Sequence, residues 1–364
     1  MTPASRRELG QLLIGSFEGT SVPVEYRALA REFDLGGTIL FGRNIEAPEQ
    51  VAELAHDLEA LGGDVPGWVS VDQEGGRVAR LQEPFTRWPP MITLGRAASD
   101  ELAVRFARAL AAELTAVGVT LNYAPVLDIH TNPKNPVIGD RALAERAEDV
   151  ARLGRAIVTA LQGAGVAACG KHFPGHGDTS VDSHHDLPVV EHAPDRLRAV
   201  EFAPFRAAID AGVAFIMTAH VLVPSIDAER PATLSPAVVR DLLREELGFT
   251  GVILSDDLEM KAISARTAVP AAAVSAVTAG CDGVLICSGN VDLQAAALEA
   301  LVRAVESGEI PRARADDALA RLRRAKERFL AAERPRPSER LRTLKTILGR
   351  EEHQIVAAEM AALL

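Results

Sequence analysis

The sequence predicts one α/β domain folded as a (β/α)8 barrel of the TIM type, followed by a short C-terminal helical extension. Three observations predict it. A unit of amphipathic helix, glycine and short apolar strand recurs through most of the 364 residues. The strands read as continuous apolar runs, as expected of a parallel sheet buried on both faces. Asp72, Asp128, Lys171, His220 and Asp256 each stand at the carboxyl end of a strand, the rim where barrel sites are built. A doubly wound sheet is the weaker alternative, because seven such strands are legible and five of them end in polar groups.

The elements follow in order. Residues 37–41 and 68–72 form the first two legible strands. A helix carrying Leu102, Phe106, Leu110, Leu114 and Val117 on one face stops at Gly118, and a strand over 121–128 follows. Val150, Leu153, Ile157 and Leu161 form the next helical stripe, ending at Gly163 or Gly165 before a strand over 166–171. Leu197, Val200, Phe205 and Ile209 lead through Gly212 to a strand over 213–220. Leu242 and Leu243 lead through Gly248 to 251–256, and Val277 and Gly280 precede 282–287. The charged, proline-bearing break Glu333-Arg334-Pro335-Arg336-Pro337-Ser338 ends this pattern. The expected organisation is therefore a barrel over 1–334 and a helical extension over 335–364, an appendage and not a second domain.

Composition narrows the function classes. A net charge of −11 argues against nucleic acid or anionic membrane as the partner. Hydrophobic content of 48% with only 4% aromatics implies a core of Ala, Leu, Val and Ile. The first residues lack the apolar run of a signal peptide, since Glu8 and Gln11 interrupt it, and no segment approaches the ~18 apolar residues of a membrane span. Cys169, Cys281 and Cys287 are an odd number in apolar settings and read as reduced, buried thiols. A cytoplasmic protein, monomeric or weakly dimeric, is the expectation.

The stretch from Lys171 to Pro188 holds four of the nine histidines and three aspartates, interrupted by Pro174, Gly175 and Gly177. It reads as a long loop leaving a strand. Zinc binding is one reading of such a cluster, although the i, i+4 histidine pair of a helical site is missing. Solvated loop histidines are another. A proton-transfer dyad fits better: Asp182 accepts from one ring nitrogen of His184, which fixes the tautomer and leaves the other nitrogen to exchange a proton with substrate. Gly175 and Gly177 are read as hinges for this loop.

Two further constellations stand at strand ends. In Ser255-Asp256-Asp257-Leu258, Asp256 faces the barrel mouth while Asp257 sits near the next helix start. In Asp72-Gln73-Glu74-Gly75-Gly76-Arg77-Val78-Ala79-Arg80, carboxylates and arginines suit a polyhydroxylated ligand. An intraloop salt bridge is the bland alternative there.

These residues carry a resemblance. Lys171-His172-Phe173-Pro174-Gly175-His176-Gly177 with Asp182-Ser183-His184 resembles the signature of glycoside hydrolase family 3 β-N-acetylglucosaminidases. Asp72 to Arg77, Asn122 to Asp128, Gly139-Asp140-Arg141, Met217 to His220 and Ser255 to Leu258 resemble the same family in the same order. The match runs from about Leu9 to Leu330. It implies a retaining hydrolase in which Asp256 is the nucleophile and His184 the acid/base, with Asp182 as its partner. Asp72, Arg80, Arg141, Lys171 and His172 match positions that hold the N-acetylglucosamine. The implied reaction is exo-hydrolysis of terminal β-linked N-acetylglucosamine, with peptidoglycan fragments as the substrate class and no metal or organic cofactor. Many family members continue into a second α/β domain. Residues 351–361 resemble the helix that would lead to it, and a single-domain form is the favoured reading. A phosphorylase, a metal-dependent barrel hydrolase and a non-catalytic sugar-binding barrel remain as alternatives.

Overall fold

The computed structural model describes residues 2–63, 66–331 and 337–364. Eight parallel strands close into a barrel: β1 (Leu13–Gly15), β2 (Gly37–Leu40), β3 (Trp68–Val71), β4 (Leu121–Asn122), β5 (Ala167–Phe173), β6 (Phe215–Thr218), β7 (Val252–Asp257) and β8 (Gly283–Leu285). Each strand pairs with its neighbours in sequence, and β1 pairs with both β2 and β8 to complete the ring. The expected (β/α)8 barrel is therefore the observed fold. The first strand is the one that the sequence reading lacked. It is three residues long and follows a short 3-10 turn, Leu9–Leu12, with no helix-stopping glycine before it.

The strand expected over 121–128 is cut to two residues. Pro125 has no N–H to give the ladder, yet the segment still tracks β5. Leu127 N donates to Lys171 O at 2.6 Å, and Lys171 N donates to Pro125 O at 3.2 Å. This path carries Asp128 beneath the end of β5. Trp68 and Phe215 meet edge to face at 5.1 Å among the barrel's buried side chains, and the rest of the core is mainly aliphatic. Helices such as Asp100–Ala116 and Ala147–Gly163 turn their apolar faces onto the strands and their charged faces to water.

The tail forms two helices, Pro337–Ile347 and Glu351–Ala361, parted by Gly349 at φ +57°. They pack on the helices Pro48–Glu59 and Asp100–Ala116, and Leu344, Val356 and Met360 join the barrel's own apolar core. Buried Glu113 anchors them, accepting from Gly349 N at 2.9 Å and pairing with His353 Nδ1 at 2.8 Å. The expected boundary between residues 334 and 335 lies outside the described residues. Cys169, Cys281 and Cys287 are free and buried. Among the described residues no helix is long and apolar enough to cross a membrane.

Candidate active site

A cavity of about 390 Å³ opens at the carboxyl rim of the barrel. Asp72, Arg80, Arg141, Lys171, His172, His184 and Asp256 all line it, so seven of the eight residues singled out in the sequence converge there. The eighth, Asp182, stands behind His184.

One wall is an ion-pair network centred on Glu74. Lys171 Nζ lies 2.7 Å from Asp72 Oδ1 and 2.6 Å from Glu74 Oε1. Arg141 grips the same Glu74 carboxylate with two bonds, Nε to Oε2 at 2.9 Å and Nη2 to Oε1 at 2.8 Å. Burial would push the Glu74 carboxyl up, but Lys171 and Arg141 outweigh it and hold it far below the usual range. Arg80 stands farther off, 3.8 Å from Asp72. In the sequence Glu74 is one carboxylate of a motif, with no role of its own. The structure makes it the counter-ion that fixes two cations facing the cavity. Removing it leaves buried Arg141 without its carboxylate and Lys171 with Asp72 alone, so Glu74→Ala should cost about 3 kcal/mol of stability. An unchanged urea midpoint would contradict this.

Asp128 does similar work for the next strand end. It accepts from His172 Nδ1 at 2.7 Å and His172 N at 3.2 Å, and from His176 N at 2.6 Å. With Asp128 ionised, the first of these bonds keeps the His172 proton on Nδ1 as donor, which leaves Nε2 as the nitrogen available to a ligand.

The histidine-rich loop divides into pairs with separate tasks. His184 Nδ1 lies 2.7 Å from Asp182 Oδ1, and the His184 backbone N–H donates to the same oxygen at 2.8 Å. The dyad thus has the geometry expected of it, with the His184 ring largely exposed at the cavity mouth. Ser183, between them, is buried. Its Oγ lies 3.1 Å from His176 Nε2, and its carbonyl accepts from Ala262 N at 3.2 Å, just beyond β7. His176 is itself fixed by Thr179 at 2.7 Å, while Asn135 holds the carbonyls of His176 and Gly177. The loop is therefore tied down at its centre. A Cβ at Gly177 would fall 1.8 Å from Ile129 O, so close packing alone calls for glycine there. Gly175, at φ +128°, keeps a backbone conformation that favours glycine.

Burial pushes the His176 imidazole down to about 4, with Asp128 only partly opposing it. The unfolded chain thus binds a proton that the folded chain refuses between about 6.5 and 4. This contribution favours the fold above that window and is lost as pH falls through it. Urea unfolding of the wild type should show it, and His176→Gln should lessen the acid loss. An identical pH dependence in the two proteins would refute it.

Asp256 is the penultimate residue of β7. Burial pushes its carboxyl up, but His220, His172 and Lys171 together hold it below the ordinary value. His220 Nε2 donates to the Asp257 carbonyl at 2.9 Å and so ties the ends of β6 and β7 together. Among the described residues no group of three or more His, Cys, Asp or Glu side chains is placed to hold a metal ion. His172 is paired with Asp128 and His184 with Asp182, while His176 is held by Thr179 and Ser183.

The profile of the glycosyl hydrolase family 3 N-terminal domain matches residues 5–325. The chain belongs to glycoside hydrolase family 3. As a member of that family it is an enzyme that hydrolyses glycosides. A β-hexosaminidase of Nitrosomonas eutropha is 42% identical over 286 residues, covering 77% of this chain and 81% of that protein. The family 3 β-N-acetylglucosaminidase of Paenibacillus sp. FPU-7 superposes with a TM-score of 0.91 at 44% identity, covering 98% of this chain and 68% of that one. NagZ of Neisseria gonorrhoeae, solved with N-trifluoroacetyl-D-glucosamine, gives a TM-score of 0.79 at 32% identity over 97% of both chains.

Proposed function

We propose that this family 3 enzyme is an exo-acting, retaining β-N-acetylglucosaminidase that removes terminal N-acetylglucosamine from β-linked saccharides. The observation that carries the reading is the pairing of one low-lying carboxylate on a strand end, Asp256, with an imidazole–carboxylate dyad at the mouth of the same cavity. The names of the relatives point to the same sugar.

In the first step Asp256 attacks the anomeric carbon, the bond to the leaving oxygen breaks, and His184 gives that oxygen its proton. In the second step His184 takes a proton from water, and the resulting hydroxide displaces Asp256 with net retention. The Asp256 anion stabilises the oxocarbenium-like transition state on either side of the intermediate. Asp72, Arg80, Arg141, Lys171 and His172 supply acceptors and donors for the sugar hydroxyls and the acetamido group. No cofactor enters these steps.

We further propose that the substrate class is peptidoglycan fragments and that the enzyme works in the cytoplasm, where three free thiols stay reduced. Residues 335–364 are read as an extension of the barrel domain, a view supported by the core that the two share.

The test is a hydrolysis screen of aryl N-acetylglucosaminide, glucoside and xyloside, each with and without phosphate. Preferential release from the N-acetylglucosaminide in phosphate-free buffer is expected. Turnover that depends on phosphate and yields a sugar 1-phosphate would overturn the hydrolase reading.

A further inference from the structure

Two adjacent carboxyls, Asp256 and Asp257, reach the same cavity, and their surroundings differ. Successive residues of a strand point to opposite sides. Asp256 shares its surroundings with Lys171, His172 and His220, which favour its charge. Asp257 turns toward the end of β8, where Oδ1 accepts from Glu259 N at 3.1 Å and Cys287 N at 3.3 Å. Its Oδ2 has no hydrogen-bond partner among the described residues.

The groups around Asp257 come from four strand ends. Asp256 and Glu259 are acidic and lie on its own segment. Cys287 from β8 contributes a backbone N–H, and Glu259 Oε2 takes that same N–H at 2.9 Å. His220 from β6 touches only the Asp257 carbonyl. Arg43, beyond β2, spends its guanidinium on the Cys287 carbonyl, Ser16 Oγ, the Phe17 carbonyl and Glu18. Two carboxylates and no direct cation therefore surround a largely buried acid.

We propose that Asp257 is a second substrate-facing carboxyl of this site: held as the neutral acid beside ionised Asp256, it donates a hydrogen bond from Oδ2 to a saccharide oxygen in the cavity. Burial, then Glu259 and Asp256, push its carboxyl up to about 7, in keeping with this geometry. When environments drive two neighbouring carboxyls apart, one serves as the anion and the other as a donor. The inference rests on the reading of Asp256 as nucleophile and adds a contact to that site.

The experiment is the pH dependence of kcat/KM on a dinitrophenyl N-acetylglucosaminide. Its leaving group needs no proton, so the acid role of His184 does not shape the profile. Wild type should lose rate as pH rises through about 7, where Asp257 ionises. Asp257→Asn keeps Oδ1 as acceptor and puts a permanent donor in place of the acid. It should stay within about threefold of wild type on the acid side and lose the alkaline limb. Asp257→Ala should fall by about tenfold or more at every pH. An Asp257→Asn profile with the wild-type limb, or an Asp257→Ala enzyme as active as wild type, would overturn the proposal.

Infrared difference spectra supply a readout that needs no turnover. A protonated-carboxyl band should be present in wild type below about pH 7, persist in Asp256→Ala with a lower pH threshold because burial and Glu259 remain, and be lost in Asp257→Asn. Its absence from wild type would overturn the proposal even if Asp257→Ala failed to fold. If wild type spared the aryl substrate, or Asp256→Ala turned it over normally, the proposed function would fail instead, and the infrared band would still decide the state of Asp257.

Discussion

Asp256→Ala is expected to lower turnover of every N-acetylglucosaminide by at least about 10,000-fold, whatever the leaving group. The expectation comes from where this carboxylate sits. It stands at the end of β7, with Lys171, His172 and His220 holding it in the charged form despite its burial. It is the residue whose position and charge suit attack at an anomeric carbon. Asp257 does not replace it, because its Oδ1 is held by the backbone N–H groups of Glu259, on its own segment, and of Cys287, beyond β8. The ion-pair wall of Asp72, Glu74, Lys171 and Arg141, proposed to hold the sugar, is not altered by this substitution, so product inhibition by N-acetylglucosamine should persist while kcat collapses. Steady-state rates on an aryl glycoside and on a natural disaccharide measure the loss. A rate within tenfold of wild type would remove Asp256 from the chemistry.

His184→Ala is expected to cost about 1,000-fold on a natural saccharide and far less on a dinitrophenyl glycoside in the glycosylation step. A sugar alkoxide is a poor leaving group and needs a proton, the one the proposed mechanism draws from His184, whereas a dinitrophenolate leaves unaided. The ratio of kcat/KM on the two substrates should therefore move by about two orders of magnitude. Asp182 orients the ring through Nδ1 and the backbone at once, so Asp182→Ala should shift the same ratio in the same direction by less. Equal losses on both substrates would assign His184 to binding and not to proton transfer.

Much of the fold was legible because its repeating unit is local. Glycine-stopped helices and apolar runs placed seven strands. The eighth, β1, escaped because three residues after a 3-10 turn carry neither a helical period nor a glycine stop. The 121–128 strand was overextended because its apolar residues suggested a ladder that Pro125 interrupts.

The site divides in the same way. Asp182 and His184 are two residues apart, so a loop turn alone brings them together, and Asp256 was marked by its place at a strand end. Glu74 was not legible, since its meaning depends on Arg141, 67 residues away, and on Lys171 from another strand. His176 and Ser183 read as loop residues until folding put them in contact beneath the dyad. The divergence of Asp257 from Asp256 depends on the end of β8, which no local pattern around Asp257 records.

Peptide mapping of trapped enzyme can find the covalent sugar that the proposed mechanism places on Asp256. In His184→Ala, turning over a dinitrophenyl N-acetylglucosaminide, the second step should lag because water lacks its base, and the intermediate should accumulate. After an acid quench, mass spectrometry should find one N-acetylhexosaminyl unit on the peptide that contains Asp256. A sugar attached to a different residue, or no adduct together with a first-formed product of inverted configuration, would contradict the account.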